Sequence, residues 1–134
     1  MININCDMGE GLENEHLLMP YINSCNIACG GHAGDTATMM RVTALAKEYN
    51  VKVGAHPSYP DKENFGRVSM EMNKEDLIQS IQKQLNVFNL VLESVQLPLH
   101  HIKAHGALYN DIAKDAELAN VFLAAIFEYK AICS

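Results

Sequence analysis

The sequence has no long apolar run: the longest, Val121 to Phe127, is too short to cross a bilayer. Its first residues lack the basic start and apolar stretch of a signal peptide. Basic residues are few, with 10 Lys and Arg against 16 Asp and Glu, for a formal net charge of -6. They form no basic stripe of the kind that binds nucleic acid or an anionic membrane. The sequence therefore predicts a protein that binds neither.

Cysteine is also scarce. Cys6, Cys25, Cys29 and Cys133 form no CxxC pair and no dense disulfide framework, which favours a reduced, cytoplasmic protein. No GxxxxGK[ST] loop occurs, so a nucleotide site of that kind is excluded. The 134 residues are 49% hydrophobic and 19% charged, which is typical of a globular protein. Their number predicts a single β/α domain over residues 1–134.

Short β-type runs alternate with longer helical patterns along the chain. Strands are predicted over residues 2–7, 24–29, 51–55 and 100–104, and a fifth begins at 131–133. Helices are predicted over 35–49, 73–95 and 115–129. Asp35 is the expected cap of the first helix and Asn73 that of the second. Tyr49 is expected on the buried stripe of the first helix. Strands that alternate with helices imply parallel βαβ units, and thus an α/β fold.

The faces of the strands indicate which α/β fold this is. One face of each strand is apolar, carrying Ile2, Ile4 and Cys6 in the first strand, Cys25, Ile27 and Cys29 in the second, and Val51, Val53 and Ala55 in the third. The opposite face is polar, and in the fourth strand it carries His101, Lys103 and His105. A doubly wound sheet would be apolar on both faces. The pattern instead predicts a (β/α) barrel with a chemically active lumen.

A full barrel of this kind typically needs about 250 residues. About four β/α units therefore predict only the N-terminal half of a barrel. A truncated chain, a dimer of halves and a small open sheet would all fit this length, and truncation is favoured because an isolated half would leave two open sheet edges.

Four polar clusters follow the predicted strands, and each combines glycines with ionisable residues. They are Asn5–Glu10, Cys29–Asp35, Gly54–Pro57 and Lys103–Tyr109. Barrel active sites are built at the carboxyl ends of the strands, from the loops that follow them. These clusters therefore predict one site at that end, although a single histidine beside a strand is more often structural.

Particular side chains suggest particular chemistry. Lys103 lies in mid-strand on the polar face, so it needs either an anionic partner or a depressed pKa, and Asp7 is the natural partner. His32, His56 and His105 together indicate a site more than a structural role. With Asp7 they could hold zinc or a similar divalent ion, although no two of them have the local spacing of a metal motif.

Other residues carry weaker signals. His101 is one pleat deeper and is expected to support the site, whereas Cys29 is disfavoured as a nucleophile because it lies on the apolar face. The polar loop over residues 57–72 has the length of a lid. Within it, Arg67 could clamp a carboxylate or phosphate, or could equally be a solvated surface residue.

The clusters resemble the LamB/YcsF family. The matching strings are Asn5–Glu10, Asn26–Asp35, Val53–Asp61, Phe65–Arg67 and Lys103–Asn110. The resemblance implies a (β/α) barrel related to the glycoside hydrolase and polysaccharide deacetylase barrels. It also implies ATP-dependent opening of the 5-oxoproline (pyroglutamate) lactam to L-glutamate, with Mg²⁺ expected beside ATP and with separate B and C subunits. The chain departs from the usual family residues at Cys6, Gly31 and Ala104, and members are nearly twice as long.

The residue roles that go with this function are as follows. Asp7 or His105 is the expected general base and Lys103 the stabiliser of developing charge. Substrate or phosphate binding is expected from Asn5, Glu10, His32, His56, Arg67 and Tyr109. An ATP-independent, metal-dependent amidohydrolase or deacetylase is the first alternative, and an inactive half-barrel fragment is the second. A homo-oligomer is compatible with each of these.

Overall fold

Four parallel strands form one sheet in the computed structural model, which describes residues 2–130. They are β1 (Asn5–Met8), β2 (Ser24–Ala28), β3 (Lys52–His56) and β4 (His101–Ile102). Their spatial order is the same as their sequence order, so each crossover moves one strand further in the same direction. This is the order of a (β/α) barrel, as the sequence predicts, because a doubly wound sheet reverses direction at its switch point. Four strands correspond to half of an eight-stranded barrel.

Helices connect the strands. They are α1 (Glu15–Leu18), which continues into a 3₁₀ turn (Met19–Tyr21), α2 (Thr36–Glu48), α3 (Lys74–Val95), α4 (Gly106–Lys114) and α5 (Ala116–Ile126), which continues into a second 3₁₀ turn (Phe127–Tyr129). The predicted caps are confirmed: Asp35 and Asn73 each accept a backbone N–H at 2.8 Å, from Thr38 and Asp76. No helix within residues 2–130 is both long and apolar enough to span a membrane.

The hydrophobic core lies between the apolar face of the sheet and the helices. Cys25, Ile27 and Ala55 project from the central strands and are fully buried. Above them α2 contributes Met39, Val42 and Ala46, and α3 contributes Leu77, Ile81, Leu85, Phe88 and Leu92. Burying a large apolar side chain contributes about 1.5–3 kcal/mol, so this layer provides most of the stability and fixes the strand ends.

Several predicted boundaries are wrong at the edges of the sheet. The first strand begins at Asn5 rather than residue 2, because its partner β2 begins at Ser24. Ile4 instead donates its N–H to the Asn23 side chain, and Ile2 is 82% exposed rather than buried under helices. Tyr49, predicted to be buried, follows the end of α2 and is also exposed.

The chain after β3 contains a helix that the sequence prediction missed. The predicted third helix is α5 with its 3₁₀ turn, but α4 precedes it and begins inside the polar cluster at Gly106. The fourth strand is shorter than predicted, although the N–H groups of His100 and Lys103 still bond to the β3 carbonyls of Val53 and Ala55 at 2.9 Å. The predicted fifth strand at 131–133 lies outside the described residues.

Candidate active site

The polar residues predicted from the strand phases meet at the carboxyl ends of the strands. Asp7, His56, Lys103, His105 and Tyr109 line one open cavity of about 400 Å³. Glu10 and His32 lie behind it, in the loops that follow β1 and β2. The alternation of the parallel strands, and not any local motif, brings these residues together.

Asp7 and Lys103 form the pair that the sequence predicts. Lys103 Nζ lies 3.5 Å from Asp7 Oδ1, and both side chains remain more than a third exposed. The other carboxylate oxygen of Asp7 lies 3.5 Å from His56 Nε2, and Asn26 donates to Oδ1 at 2.9 Å. The contact with His56 most of all, followed by the Asn26 hydrogen bond and the Lys103 charge, holds the pKa of Asp7 well below its usual range. Asp7 is therefore ionised at neutral pH.

Three histidines form a buried cluster beside this pair. The rings of His32 and His105 stack with centroids 3.6 Å apart, and His56 meets His105 edge to face at 4.8 Å. All three are less than a tenth exposed. Burial most of all, together with the neighbouring imidazoles of His32 and His56, lowers the pKa of His105, and the Phe65 carbonyl and Glu10 offset this in part. His105 is therefore neutral at neutral pH.

The outward nitrogen of each ring is fixed by a hydrogen bond. His56 Nδ1 donates to the Lys103 carbonyl at 2.7 Å, and His105 Nε2 donates to the Phe65 carbonyl at 2.9 Å. His32 Nδ1 lies 2.9 Å from the Ser58 hydroxyl. These contacts turn the remaining nitrogens inward, where they lie with a Glu10 carboxylate oxygen in a group whose atoms are all within 4.8 Å of one another. A group of this composition could hold a metal ion.

This group differs from the predicted ligand set in one member. The sequence analysis placed Asp7 with the three histidines, whereas the structure places Glu10 there, with its Oε2 atom 2.5 Å from His32 Nε2. The reason is the turn after β1: Gly9 adopts a positive φ of 73° and carries the chain back toward the histidines. Asp7, two residues earlier, stays on the strand beside the cavity.

The 57–72 loop, predicted as a lid, covers the histidine cluster. The Phe65 ring lies 4.9 Å from the His32 ring and 5.2 Å from the His105 ring. Two backbone hydrogen bonds hold the covering segment, residues 57–66, in place. His105 N–H donates to the Pro57 carbonyl and Ala107 N–H to the Gly66 carbonyl, each at 2.9 Å. The buried hydroxyl end of Tyr59 adds a 2.6 Å bond to Asp111.

The remaining predicted site residues lie further from the cavity centre or below it. The Arg67 guanidinium lies 4.9 Å from the centroid of the Phe65 ring, and Tyr109 is 55% exposed at the cavity wall. Asn5 does not line the cavity; it accepts a 2.6 Å hydrogen bond from Asn26. His101, expected to support the site, does so through a 2.5 Å contact with the same Asn26.

Sequence reasoning missed the buried polar residues that support the site. Asn26 joins Asn5, Asp7 and His101, and its place on the polar face of β2 is a usable signal. Gln84 reaches across from α3 and bonds to both backbone groups of Ser58, at 3.0 and 2.9 Å. Gln84 comes three residues after Ile81 and four before Phe88, so its place on the apolar stripe of α3 is the signal that could have found it.

The cysteines are not part of this chemistry. Cys25 and Cys29 are buried on the helix side of the sheet, and burial raises the pKa of each thiol to about 12. Neither is ionised at neutral pH, so the expectation that Cys29 is no nucleophile agrees with its surroundings. Cys6, Cys25 and Cys29, the cysteines within residues 2–130, are free thiols.

Known proteins are similar to this chain in sequence and in fold. The A-subunit proteins of 5-oxoprolinase from Haemophilus influenzae strains PittEE and PittGG are each 38% identical to this chain over 128 residues, which are 96% of this chain and 52% of theirs. The crystal structure of a lactam utilization protein from Thermus thermophilus superposes with a TM-score of 0.91 at 34% identity, covering 96% of this chain and 54% of that one. The chain thus spans about half the length of these relatives. The LamB/YcsF family model matches residues 2–133, and the chain belongs to that family.

Proposed function

We propose that this chain carries part of the active site of a 5-oxoprolinase, which opens the lactam of 5-oxoproline to give L-glutamate at the expense of ATP. The observation that supports this most is the cavity where Asp7, His56, Lys103 and His105 meet. It places a cation and two proton acceptors around a space that would take one small ring. The names of the relatives point to the same reaction.

The residues suit the electronic demands of lactam opening. An unstrained lactam is a poor electrophile, and negative charge develops on its carbonyl oxygen when a nucleophile adds. The Lys103 ammonium group would stabilise that charge. Asp7 is ionised and His105 is neutral at neutral pH, so either can accept a proton from water.

The mouth of the cavity would bind the substrate carboxylate. Tyr109 is exposed at the cavity wall, and the exposed Arg67 lies against Phe65 on the 57–72 loop, where its guanidinium group could bind a carboxylate through two parallel hydrogen bonds. Glu10, His32 and His56 would shape the inner wall. Asn5 would act indirectly, by holding Asn26 against Asp7.

No GxxxxGK[ST] loop marks an ATP site in this chain. The glycine-rich turn at 30–34 leads into α2, where a phosphate could use the free N–H groups of the helix. Asp35 already caps that helix end through Thr38, and its negative charge would repel phosphate. We therefore assign Mg²⁺–ATP to the proposed B and C subunits or to their contact with this chain, and no chemical step here depends on it.

The test is release of glutamate from 5-oxoproline with ATP, measured for the purified chain alone and with the B and C subunits. We expect no turnover by the chain alone, because it spans half the length of its relatives. The full-length relative with its B and C subunits is the positive control, and the Asp7→Asn variant of each protein is the negative one. Robust turnover by the chain alone would show that the site is complete within these residues. Lack of any effect of Asp7→Asn on the active complex would refute the proposed site.

A further inference from the structure

His56 and His105 face each other in a way that two neutral imidazoles do not favour. His56 Nε2 lies 3.0 Å from His105 Nδ1, which is a hydrogen-bond distance. A neutral imidazole has one N–H, and each ring has already placed it on a backbone carbonyl, which can only accept. When both rings are neutral, two lone pairs therefore meet at 3.0 Å, with the Asp7 carboxylate 3.5 Å from the same His56 nitrogen. This contact is repulsive unless a positive charge lies between the two nitrogens.

Two further atoms that could bind a cation, one from Glu10 and one from His32, lie beside these two nitrogens. Glu10 Oε2 lies 3.6 Å from His105 Nδ1 and 2.5 Å from His32 Nε2. Ligands at about 2.0–2.1 Å from a tetrahedral zinc ion are about 3.3 Å from one another. The separations between these four atoms lie on both sides of that value, so small side-chain movements would give the ideal geometry. We propose that Glu10, His32, His56 and His105 bind one divalent transition-metal ion.

The surroundings are those of a metal site. Histidine ligands usually donate their second N–H to a carbonyl, carboxylate or water, and His56 and His105 each do this with a backbone carbonyl. Phe65 and the rest of the 57–72 loop cover the group and exclude water from its outer side. His56 and His105 also line the cavity, so the ion would lie at its inner wall.

The donor set indicates which ions would bind. Three imidazoles and one carboxylate suit Zn²⁺, Co²⁺ or Fe²⁺, whereas Mg²⁺ and Ca²⁺ prefer oxygen ligands. The site would therefore be separate from the Mg²⁺ that accompanies ATP. An ion here would occupy the lone pair of His105 and so leave Asp7 as the proton acceptor, and it would supply Lewis acidity beside the cavity.

The test measures binding without substrate or ATP, so its result is independent of the proposed 5-oxoprolinase activity. The purified chain is freed of metal with a chelator, then titrated with Zn²⁺ by calorimetry, and metal content is measured by mass spectrometry. We expect one equivalent of Zn²⁺ per chain with a Kd below about 10⁻⁶ M. Millimolar Mg²⁺ should not compete. Co²⁺ should give the visible absorption of a site with nitrogen and oxygen ligands.

Variants identify the ligands. His56→Gln, His105→Gln and Glu10→Gln should each weaken Zn²⁺ binding at least about 100-fold, because losing even an outer-shell partner typically costs about 10–100-fold. His16→Gln, on the exposed face of α1, is the matched control and should bind normally. Asp7→Asn should weaken Zn²⁺ binding less than the ligand variants do, by about 10–100-fold at most, since the Asp7 carboxylate lies 3.5 Å from His56 Nε2 but outside the group. Circular dichroism of each metal-free variant separates loss of a ligand from loss of the fold.

Two results would overturn the site. If the folded, metal-free chain takes up none of these ions stoichiometrically, the charge between His56 and His105 is a shared proton rather than a metal. If one equivalent binds but the His56→Gln and His105→Gln variants bind it equally well, the ion lies elsewhere.

Discussion

The two faces of the same sheet are built in opposite ways. On the helix side, Cys25, Ile27 and Val53 are almost completely buried under α2 and α3. On the other side, Asp7 and Lys103 remain more than a third exposed, and their contact is one that contributes only about 0–1 kcal/mol at a surface. Neighbouring residues on one strand thus point to opposite faces and have different roles. The apolar face stabilises the fold, and the polar face holds the groups that we propose carry out the chemistry.

Phe88→Ala should produce the largest change in stability. The Phe88 side chain of α3 is 1% exposed in the core, and such truncations typically cost about 3–5 kcal/mol. The free energy of unfolding, measured by urea denaturation, should fall by that amount. Phe127→Ala is the matched control, because that ring is 72% exposed and its loss should change stability by less than about 0.5 kcal/mol. Equal effects of the two would show that the helix side is not the main source of stability.

Lys103→Met should lower activity and leave stability nearly unchanged, which is the opposite of the effect expected for Phe88→Ala. In the full-length enzyme with its B and C subunits, we expect kcat to fall about 10²–10³-fold while the urea midpoint hardly changes, because the lost charge acts mainly in the transition state. Asp7→Asn should be similarly damaging, and the double variant less than multiplicatively worse. Lys52→Met, at an exposed position of β3, is the control. A near-normal kcat for Lys103→Met would reduce this lysine to a structural partner of Asp7.

Gly31→Ala tests the place where the two faces meet. A Cβ atom at Gly31 would lie 2.5 Å from both Gln84 Oε1 and Ser58 Oγ, and overpacking of this kind costs about 1–3 kcal/mol. Because Ser58 contacts His32, both stability and Zn²⁺ affinity should fall. Adding Gln84→Ala should relieve part of the clash in thermal unfolding. If the double variant is instead less stable than Gly31→Ala by the full cost of Gln84→Ala alone, no clash exists.

Asn73→Ala should have the smallest effect on stability, and this effect should be confined to the helix side of the sheet. Asn73 caps α3 by accepting the Asp76 N–H at 2.8 Å, and loss of such a cap typically costs about 1 kcal/mol. Asn73→Asp retains the cap and should be close to wild type in urea denaturation. Zn²⁺ affinity should be unchanged in both, because α3 contacts the site only near Gln84. A lower affinity would show that the whole of α3 positions the cluster.

The features that sequence predicts correctly are those that depend on local periodicity. The three- and four-residue spacing of Leu77, Ile81 and Leu85 locates α3, and strand alternation places Asp7, His56 and Lys103 on one face. The predicted start of β1 is wrong because it depends on where β2 begins, at a distant point of the chain. The ligand set omits Glu10 for a similar reason, since the turn at Gly9 redirects the chain. Periodicity gives the face on which Asn26 and Gln84 lie, but it does not give the partners of their side-chain bonds across the fold.

The Phe65 carbonyl couples the 57–72 loop to the chemistry of a single proton. While the loop lies over the site, that carbonyl holds the His105 proton on Nε2 and leaves a lone pair on Nδ1, facing His56. Lifting the loop would release Nε2, and the proton would then be free to move to Nδ1 and bond to His56. The inner face of the ring would change from an acceptor to a donor. A backbone displacement far smaller than a domain movement would thus change the tautomer of the His105 ring, and with it any affinity of this ring for a cation.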